Sequence, residues 1–303
     1  MYRKFRTYAL LILSSGSLVG QTQGNYDFFP AGNFPGATYT VPLAVSQTHI
    51  VGNYQLPAAG THGYVQTGRS FLGAEPSGST SSYLSGMNRQ GVAVGGYCTT
   101  PGGCNPEAGE HGYTYNFATG KTTTIDSPMK RTATVAYGIN DSGVIVGGYC
   151  PNAVSCPQGM SNPANDGFID NGGVFTTLNF PSAQATSAFA VNDAGTVVGF
   201  YLINNTGPHA FLYQSGKFVN IDFPGSGYTL ATAINNHGVV AGLFSSSTGV
   251  HGFTYSNGAF TQVDKPGAVA TGVTGISDLG ELVGTFNKAI GQANFKAVPG
   301  AER

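Results

Sequence analysis

Apolar positions recur along this chain in short runs broken by Asn, Asp, Gly and Pro, and helical spacing is absent from every long window. The runs belong to one repeated phrase. Its clearest copies are GINDSGVIVGGY from Gly138, AVNDAGTVVGFY from Ala190 and AINNHGVVAGLF from Ala233. Weaker copies are GMNRQGVAVGGY from Gly86, GISDLGELVGTF from Gly275 and a one-residue-shorter AVSQTHIVGNY from Ala44. The copies start 42, 52, 52, 43 and 42 residues apart, and self-similarity at such a period marks a repeat architecture.

Each copy predicts four strands, A to D. Strand A ends in Ala/Gly-Ile/Val-Asn. An Asn-Asp-x-Gly turn follows, in which the Asx side chains bond their own backbone and Gly accepts a positive φ. Strand B comes next, as in Val144–Tyr149 and Val239–Phe244. Strand C opens on a His-Gly/Ala-aromatic triplet: His62, His111, His209 and His251 begin the full copies, and Asp166-Gly167-Phe168 and Ala293-Asn294-Phe295 are degenerate ones. Strand D carries Phe-x-x-Ile/Val-Asp and is broken by Pro128, Pro181, Pro224 or Pro266. Four antiparallel strands per unit of this length describe a propeller blade. The small residue ending strand A (Ala44, Gly86, Gly138, Ala190, Ala233, Gly275) suits a crowded axis. Strand D is missing after the sixth C strand, and Tyr26-Asp27-Phe28-Phe29-Pro30 matches Ile221-Asp222-Phe223-Pro224. The expected fold is therefore an all-β, six-bladed β-propeller of four-stranded blades, its ring closed by the N-terminal strand. Closure removes open sheet edges.

The first residues change the compartment. Arg3, Lys4 and Arg6 precede an apolar run from Thr7 to Val19 that is too short to span a bilayer. Residues 1–24 read as a secretory signal peptide, cut between Ser17 and Gly24, and 25–303 as a single propeller domain. Without those three basic residues the chain carries 14 Asp+Glu and a net charge of about −4. That charge argues against nucleic acid and anionic membranes as partners. No later run is long enough for a transmembrane helix. A secreted monomer, extracellular or periplasmic, is expected.

The phrase INDxGxVVGxY followed by His209-Ala210-Phe211 resembles the bacterial extracellular HAF-repeat family over roughly residues 25–296. The resemblance implies an exported bacterial repeat protein. It implies no activity, substrate or catalytic residue.

Candidate chemistry is sparse. Cys98 and Cys104, and Cys150 and Cys156, lie in two enlarged B–C loops, 14 residues from Tyr97 to His111 and 17 from Tyr149 to Asp166, against 7 or 8 in the shorter copies. Cys98–Cys104 and Cys150–Cys156 are the favoured disulfides, because equivalent points on packed sheets lie about 10 Å apart. The repeated histidines sit at one radius around the ring and read as structural, and His49 and His237 as surface residues. Asp27, Asp126, Asp222 and Asp264, with Asn179 as an amide variant, read as caps of the turn after strand D. Asp141, Asp193 and Asp278 read as turn residues. Off-pattern charges are Glu107, Glu110, Lys130, Arg131 and Lys265. The first four are the candidate ligand-binding set, on the face that carries the long loops. No catalytic triad motif, zinc motif or phosphate loop is present, and no cofactor is implied. The expectation is a non-catalytic binding or scaffold module for an extracellular glycan or protein. The competing class is a secreted polysaccharide hydrolase or lyase with its site at the axial mouth.

Overall fold

A computed structural model of the chain describes residues 22–57, 60–100, 110–128, 133–150, 166–204, 206–288 and 291–300. Every regular element among them is a strand. Blade 1 is β3 (Tyr39–Val45), β4 (His49–Gln55), β5 (Thr61–Thr67) and β6 (Ser70–Gly73). Blade 2 is β7 (Ser81–Met87), β8 (Val92–Cys98), β9 (His111–Asn116) and β10 (Thr122–Ile125). Blade 3 is β11 (Thr134–Ile139), β12 (Ile145–Tyr149), β13 (Asp166–Asn171) and β14 (Val174–Leu178). Blade 4 is β15 (Ala185–Val191), β16 (Val197–Leu202), β17 (His209–Gln214) and β18 (Lys217–Asn220). Blade 5 is β19 (Thr229–Ile234), β20 (Val240–Ser246), β21 (Gly249–Ser256) and β22 (Ala259–Val263). Blade 6 is β23 (Ala270–Ile276), β24 (Leu282–Asn287), β25 (Gln292–Pro299) and, from the other end of the chain, β2 (Tyr26–Pro30). The fold is the six-bladed propeller that the repeat predicts.

The inner strands explain the small residues. Each carries a β-bulge, as between Ala136 and Gly138 or between Leu84 and Gly86, which turns the bulged residue toward the axis. A Cβ on Gly86 would lie 2.6 Å from the Tyr137 carbonyl, and one on Gly138 would lie 2.7 Å from that of Phe189. Larger residues would push neighbouring blades apart. Apolar clusters then fill the wedges between consecutive blades, with Tyr113, Phe168, Phe211, Phe253 and Phe295 fully buried on the C strands.

The closing strand is where expected, but its register is not. β2 runs antiparallel to β25, with Tyr26 opposite Pro299 and Pro30 opposite Phe295, and Phe28 meets Phe295 edge-on at 5.1 Å. In blade 4 the residue opposite the equivalent Phe211 is Asn220. Pro30 thus takes the place of Asn220, not of Pro224. The true counterpart of Phe223-Pro224 is Phe34-Pro35: the Phe34 amide donates to Thr40 Oγ1 (2.9 Å) as Phe223 does to Thr229 Oγ1 (3.0 Å). Asp27 is consequently an exposed residue opposite Val298, with no place in the acid series. A further strand, β1 (Thr22–Gln23), pairs in parallel with Thr261–Gln262 on the outside of blade 5.

Candidate functional site

At the A–B turns the six units meet around the axis. Asn88 Oδ1 accepts from the Val92 amide (3.0 Å) and Asn140 Oδ1 from Val144 (2.9 Å), which closes each turn locally. The amide group of the same side chain reaches to the next blade. Asn88 donates to the Asn140 carbonyl, Asn140 to Asn192, Asn192 to Asn235 and Asn235 to Ser277, at 3.1–3.2 Å. All four asparagines are buried, so each bond satisfies groups that would otherwise be costly. The following Asx residues form a second tier, in which the Asp141 amide donates to Asp193 Oδ1 and the Asn236 amide to Asp278 Oδ1, both at 2.8 Å.

Asp141, Asp193 and Asp278 therefore converge, which turn chemistry alone did not reveal. Arg89 balances them. Its Nε bonds Asp141, its Nη2 lies 3.1 Å from Asp193 and its Nη1 3.8 Å from Asp278. The visible signal was a cation standing where three other copies carry Asp. Around this tier the described residues hold no group of three or more His, Cys, Asp or Glu arranged to take a metal ion.

The repeated His and the strand-D acid are partners, which corrects the assignment of the acids to turn caps. His209 Nδ1 lies 2.6 Å from Asp222, His251 Nδ1 2.9 Å from Asp264, His111 Nδ1 2.9 Å from Asp126 and His62 Nδ1 2.7 Å from Glu75. The carboxylate accepts from the ring N–H. In blade 3 both members change together, and Asn179 donates to Asp166 at 2.7 Å. Each His also packs on the aromatic residue of strand B, at 5.2–5.4 Å for Tyr54, Tyr97, Tyr201 and Phe244. In blades 4 and 5 a Thr completes a chain: Thr206 Oγ1 is 2.8 Å from His209 Nε2, and Thr248 Oγ1 is 2.9 Å from His251 Nε2. The order nucleophile, base, acid is that of hydrolytic triads. However, the Thr206 hydroxyl already donates to the Ile203 carbonyl at 2.6 Å, and the same chain recurs in two blades at the rim.

Of the predicted ligand-binding set, Glu107, Lys130 and Arg131 lie outside the described residues, as do Cys104 and Cys156. Glu110 is half-buried at the base of the long loop of blade 2. Its Oε1 accepts from the Tyr83 hydroxyl at 2.7 Å, and burial pushes its carboxyl above the ordinary range. It thus joins the C strand of blade 2 to the inner strand rather than facing outward. Cys98 and Cys150 are both buried at the end of the B-strand runs, and neither is a free thiol. Lys265 is structural as well: its Nζ sits 5.4 Å from the Phe286 ring centre and 5.7 Å from that of Phe28. His237 is exposed as expected, whereas His49 is half-buried against Phe117 at 5.0 Å.

No protein-family model matches the chain, and no curated protein does. Solved structures do. An acylaminoacyl peptidase from Pyrococcus horikoshii is similar at 14% identity and a TM-score of 0.55, over 89% of this chain and 45% of the peptidase, so the chain spans less than half of that enzyme. The β-propeller domain of the Trilobed protease from Pyrococcus furiosus is similar at 9% identity and a TM-score of 0.51, over 88% of this chain and 97% of that domain. A variant of the Aleuria aurantia lectin in complex with Fucalpha1-6GlcNAc gives 12% identity and a TM-score of 0.49, over 88% and 98%. The likenesses to the peptidase and to the protease domain show the propeller fold alone. No helix among the described residues is long and apolar enough to cross a membrane.

Proposed function

We propose that the mature chain is an exported, soluble, non-catalytic binding or scaffold protein of the HAF-repeat type. It meets an extracellular glycan or protein and engages neither nucleic acid nor membrane once the leader is removed. The strongest support is the fate of its histidines. Each of the four repeated ones is held by a carboxylate of its own blade and an aromatic ring of strand B. They are spread around the rim, so they supply rigidity rather than a shared reaction centre. What escapes the repeat is the pair of long loops of blades 2 and 3, rooted at Cys98 and Cys150, and a disulfide within each would lower the entropy lost on binding. In this reading Cys98–Cys104 and Cys150–Cys156 form after export, and Glu107, Lys130 and Arg131 provide the charge on that face. Within the range Ser17 to Gly24, a cut before Thr22 is the one that keeps the β1 pairing with blade 5. N-terminal sequencing of secreted material that begins after Gln23 would contradict this cut.

The test is a binding screen of the mature protein against soluble bacterial and plant polysaccharides. Shortening both long loops to the length in blade 5 is expected to abolish binding to any hit and leave the fold intact. His209→Ala is expected to lower stability and leave the affinity of the folded fraction unchanged. The competing reading, a polysaccharide hydrolase or lyase, is favoured by the Thr206–His209–Asp222 chain alone. Reducing-end release that Thr206→Val or His209→Ala eliminates without loss of stability would replace the proposed function.

A further inference from the structure

The rim of blade 6 departs from that of every other blade. In four blades the strand-B aromatic stands opposite a His: Tyr54 opposite His62, Tyr97 opposite His111, Tyr201 opposite His209 and Phe244 opposite His251. In blade 3 Tyr149 stands opposite Asp166. In blade 6 Phe286 stands opposite Ala293. The acid is missing as well. Asn33 precedes Phe34 as Asp222 precedes Phe223, and its Oδ1 accepts from Asn294 Nδ2 at 3.1 Å. Blades 1 to 5 each keep a carboxylate at this corner, namely Glu75, Asp126, Asp166, Asp222 and Asp264. Among the described residues blade 6 has none there.

Two cations take its place. Lys265, from the connection between blades 5 and 6, holds Nζ 5.4 Å from the Phe286 ring centre, and Lys288, from the B–C turn of blade 6, holds Nζ 5.6 Å from it. The ring attracts each ammonium group, but it carries no charge to cancel theirs. Among the described residues neither lysine forms an ion pair. Asp264, next to Lys265 in the chain, is turned to His251 and Gln262. Lys288 is exposed and Lys265 half-buried. Like charges gathered on one ring without a counter-charge are stabilised by an incoming anion.

The surroundings narrow the kind of anion. An ammonium is a compact point charge that imposes no planar fork, so it suits carboxylates met one at a time. A protein partner would be anchored by a buried apolar cluster. Among the described residues of the two connections the exposed large hydrophobic is Val269 alone. Its amide donates to the carbonyl of Asn287, which pairs with Gln292 across the turn that carries Lys288. Their side-chain amides offer donors and acceptors for hydroxyls. B–C loops and D–A connections lie at one end of the strands, so the pair shares a face with the long loops of blades 2 and 3. Blade 6 lies across the ring from blade 3, and a polymer can meet both.

We propose that Lys265 and Lys288 form a subsite for the carboxylates of an acidic, uronate-bearing polysaccharide, with Asn287 and Gln292 bonding its hydroxyls. The proposal deepens the binding function above and rests on it. The experiment is a calorimetric titration of the mature protein with polygalacturonate, with dextran as the neutral polymer and poly-glutamate as the acidic peptide. Polygalacturonate is expected to bind, and to bind more weakly as salt rises, because exposed charges are screened. Lys288→Gln is expected to weaken binding about fivefold, and adding Lys265→Met about twentyfold in all. Lys288→Arg keeps the charge and is expected to keep the binding. Should Lys265→Met lower stability, Lys288→Gln and the charge reversal Lys288→Glu decide alone. No binding of polygalacturonate, or tighter binding of poly-glutamate, overturns the proposal. Binding of dextran alone does so too and leaves the binding function standing. Polygalacturonate binding that survives the lysine variants at full affinity but is lost on shortening the long loops overturns this subsite and leaves the binding function standing. Release of reducing ends would instead overturn the binding function itself.

Discussion

In blades 4 and 5, a phenylalanine from the preceding D–A connection stacks flat on the strand-B aromatic: Phe180 on Tyr201 at 3.7 Å and Phe223 on Phe244 at 3.5 Å. Phe34 does the same on Tyr54 in blade 1. In blades 2 and 3 the equivalent positions are Pro76 and Ser127. Ala74 takes the backbone bond of Ile221 two residues before Pro76, and the Ser127 amide takes the Thr134 hydroxyl bond. There the aromatics Tyr97 and Tyr149 lose their stack. These are also the blades in which a buried cysteine follows that aromatic and the B–C loop is long. Blade 6 offers a third solution, Lys265 over Phe286. One frame thus tolerates three ways of anchoring the same corner, and the B–C loops are long in the two blades where neither a stacked ring nor a cation covers the strand-B aromatic.

Both kinds of blade depend on the closed ring, so the largest effect is expected from removing residues 22–30. This deletion strips β1 from blade 5 and exposes β25 as an open edge. Light scattering is expected to report association, and a monomer of unchanged melting temperature would contradict the closure.

The frame itself is tested by two adjacent glycines of β12. A Cβ on Gly147 would lie 2.0 Å from the Val135 carbonyl, whereas one on Gly148 meets nothing nearer than 3.6 Å. Gly147→Ala is expected to cost about 3 kcal/mol and Gly148→Ala within about 0.5 kcal/mol. Denaturant titration separates them, and equal losses would mean that the inner strands give way more easily than their packing indicates.

The exchange of stack for cysteine is sharpened by the pair Cys150→Ser and Cys156→Ser, expected to cost about 2–4 kcal/mol. Adding Ser127→Phe to that variant supplies the missing ring over Tyr149 and is expected to recover about 1 kcal/mol. The same substitution with no recovery would show that the two anchors are unrelated.

The smallest effect concerns Glu110. Burial raises its carboxyl, so the folded state holds that proton more tightly than the unfolded state. The associated stability is complete at acid pH and is lost as pH rises from the unfolded range, near about 4.3, through the raised folded value. Glu110→Gln is therefore expected to leave the melting temperature unchanged below about pH 4 and to raise it at pH 7. A fall at pH 7 would mean that the ionised form is the one the fold holds.

The four strands of each blade, the blade number, the turn glycines, the small axial residues and the identity of the closing strand were legible in the sequence, while the extra strand β1 on blade 5 was not. Each follows from spacing along the chain: the period-2 alternation of a strand, the Asx-Gly turn and the repeat length are local properties that copy themselves six times. What two blades do to each other was not legible. Arg89 finds acids 52, 104 and 189 residues ahead, His209 finds Asp222 only once strands C and D are in register, and the closing strand sits several residues from where its motif match placed it. Thr122 stands opposite Tyr115 where blades 4 and 5 carry Phe218 and Phe260, and what that exchange leaves beside Tyr115 depends on how the face of blade 1 meets it. Register and inter-blade angle decide these features, because side chains meet across the ring by position in space and the sequence records only their order.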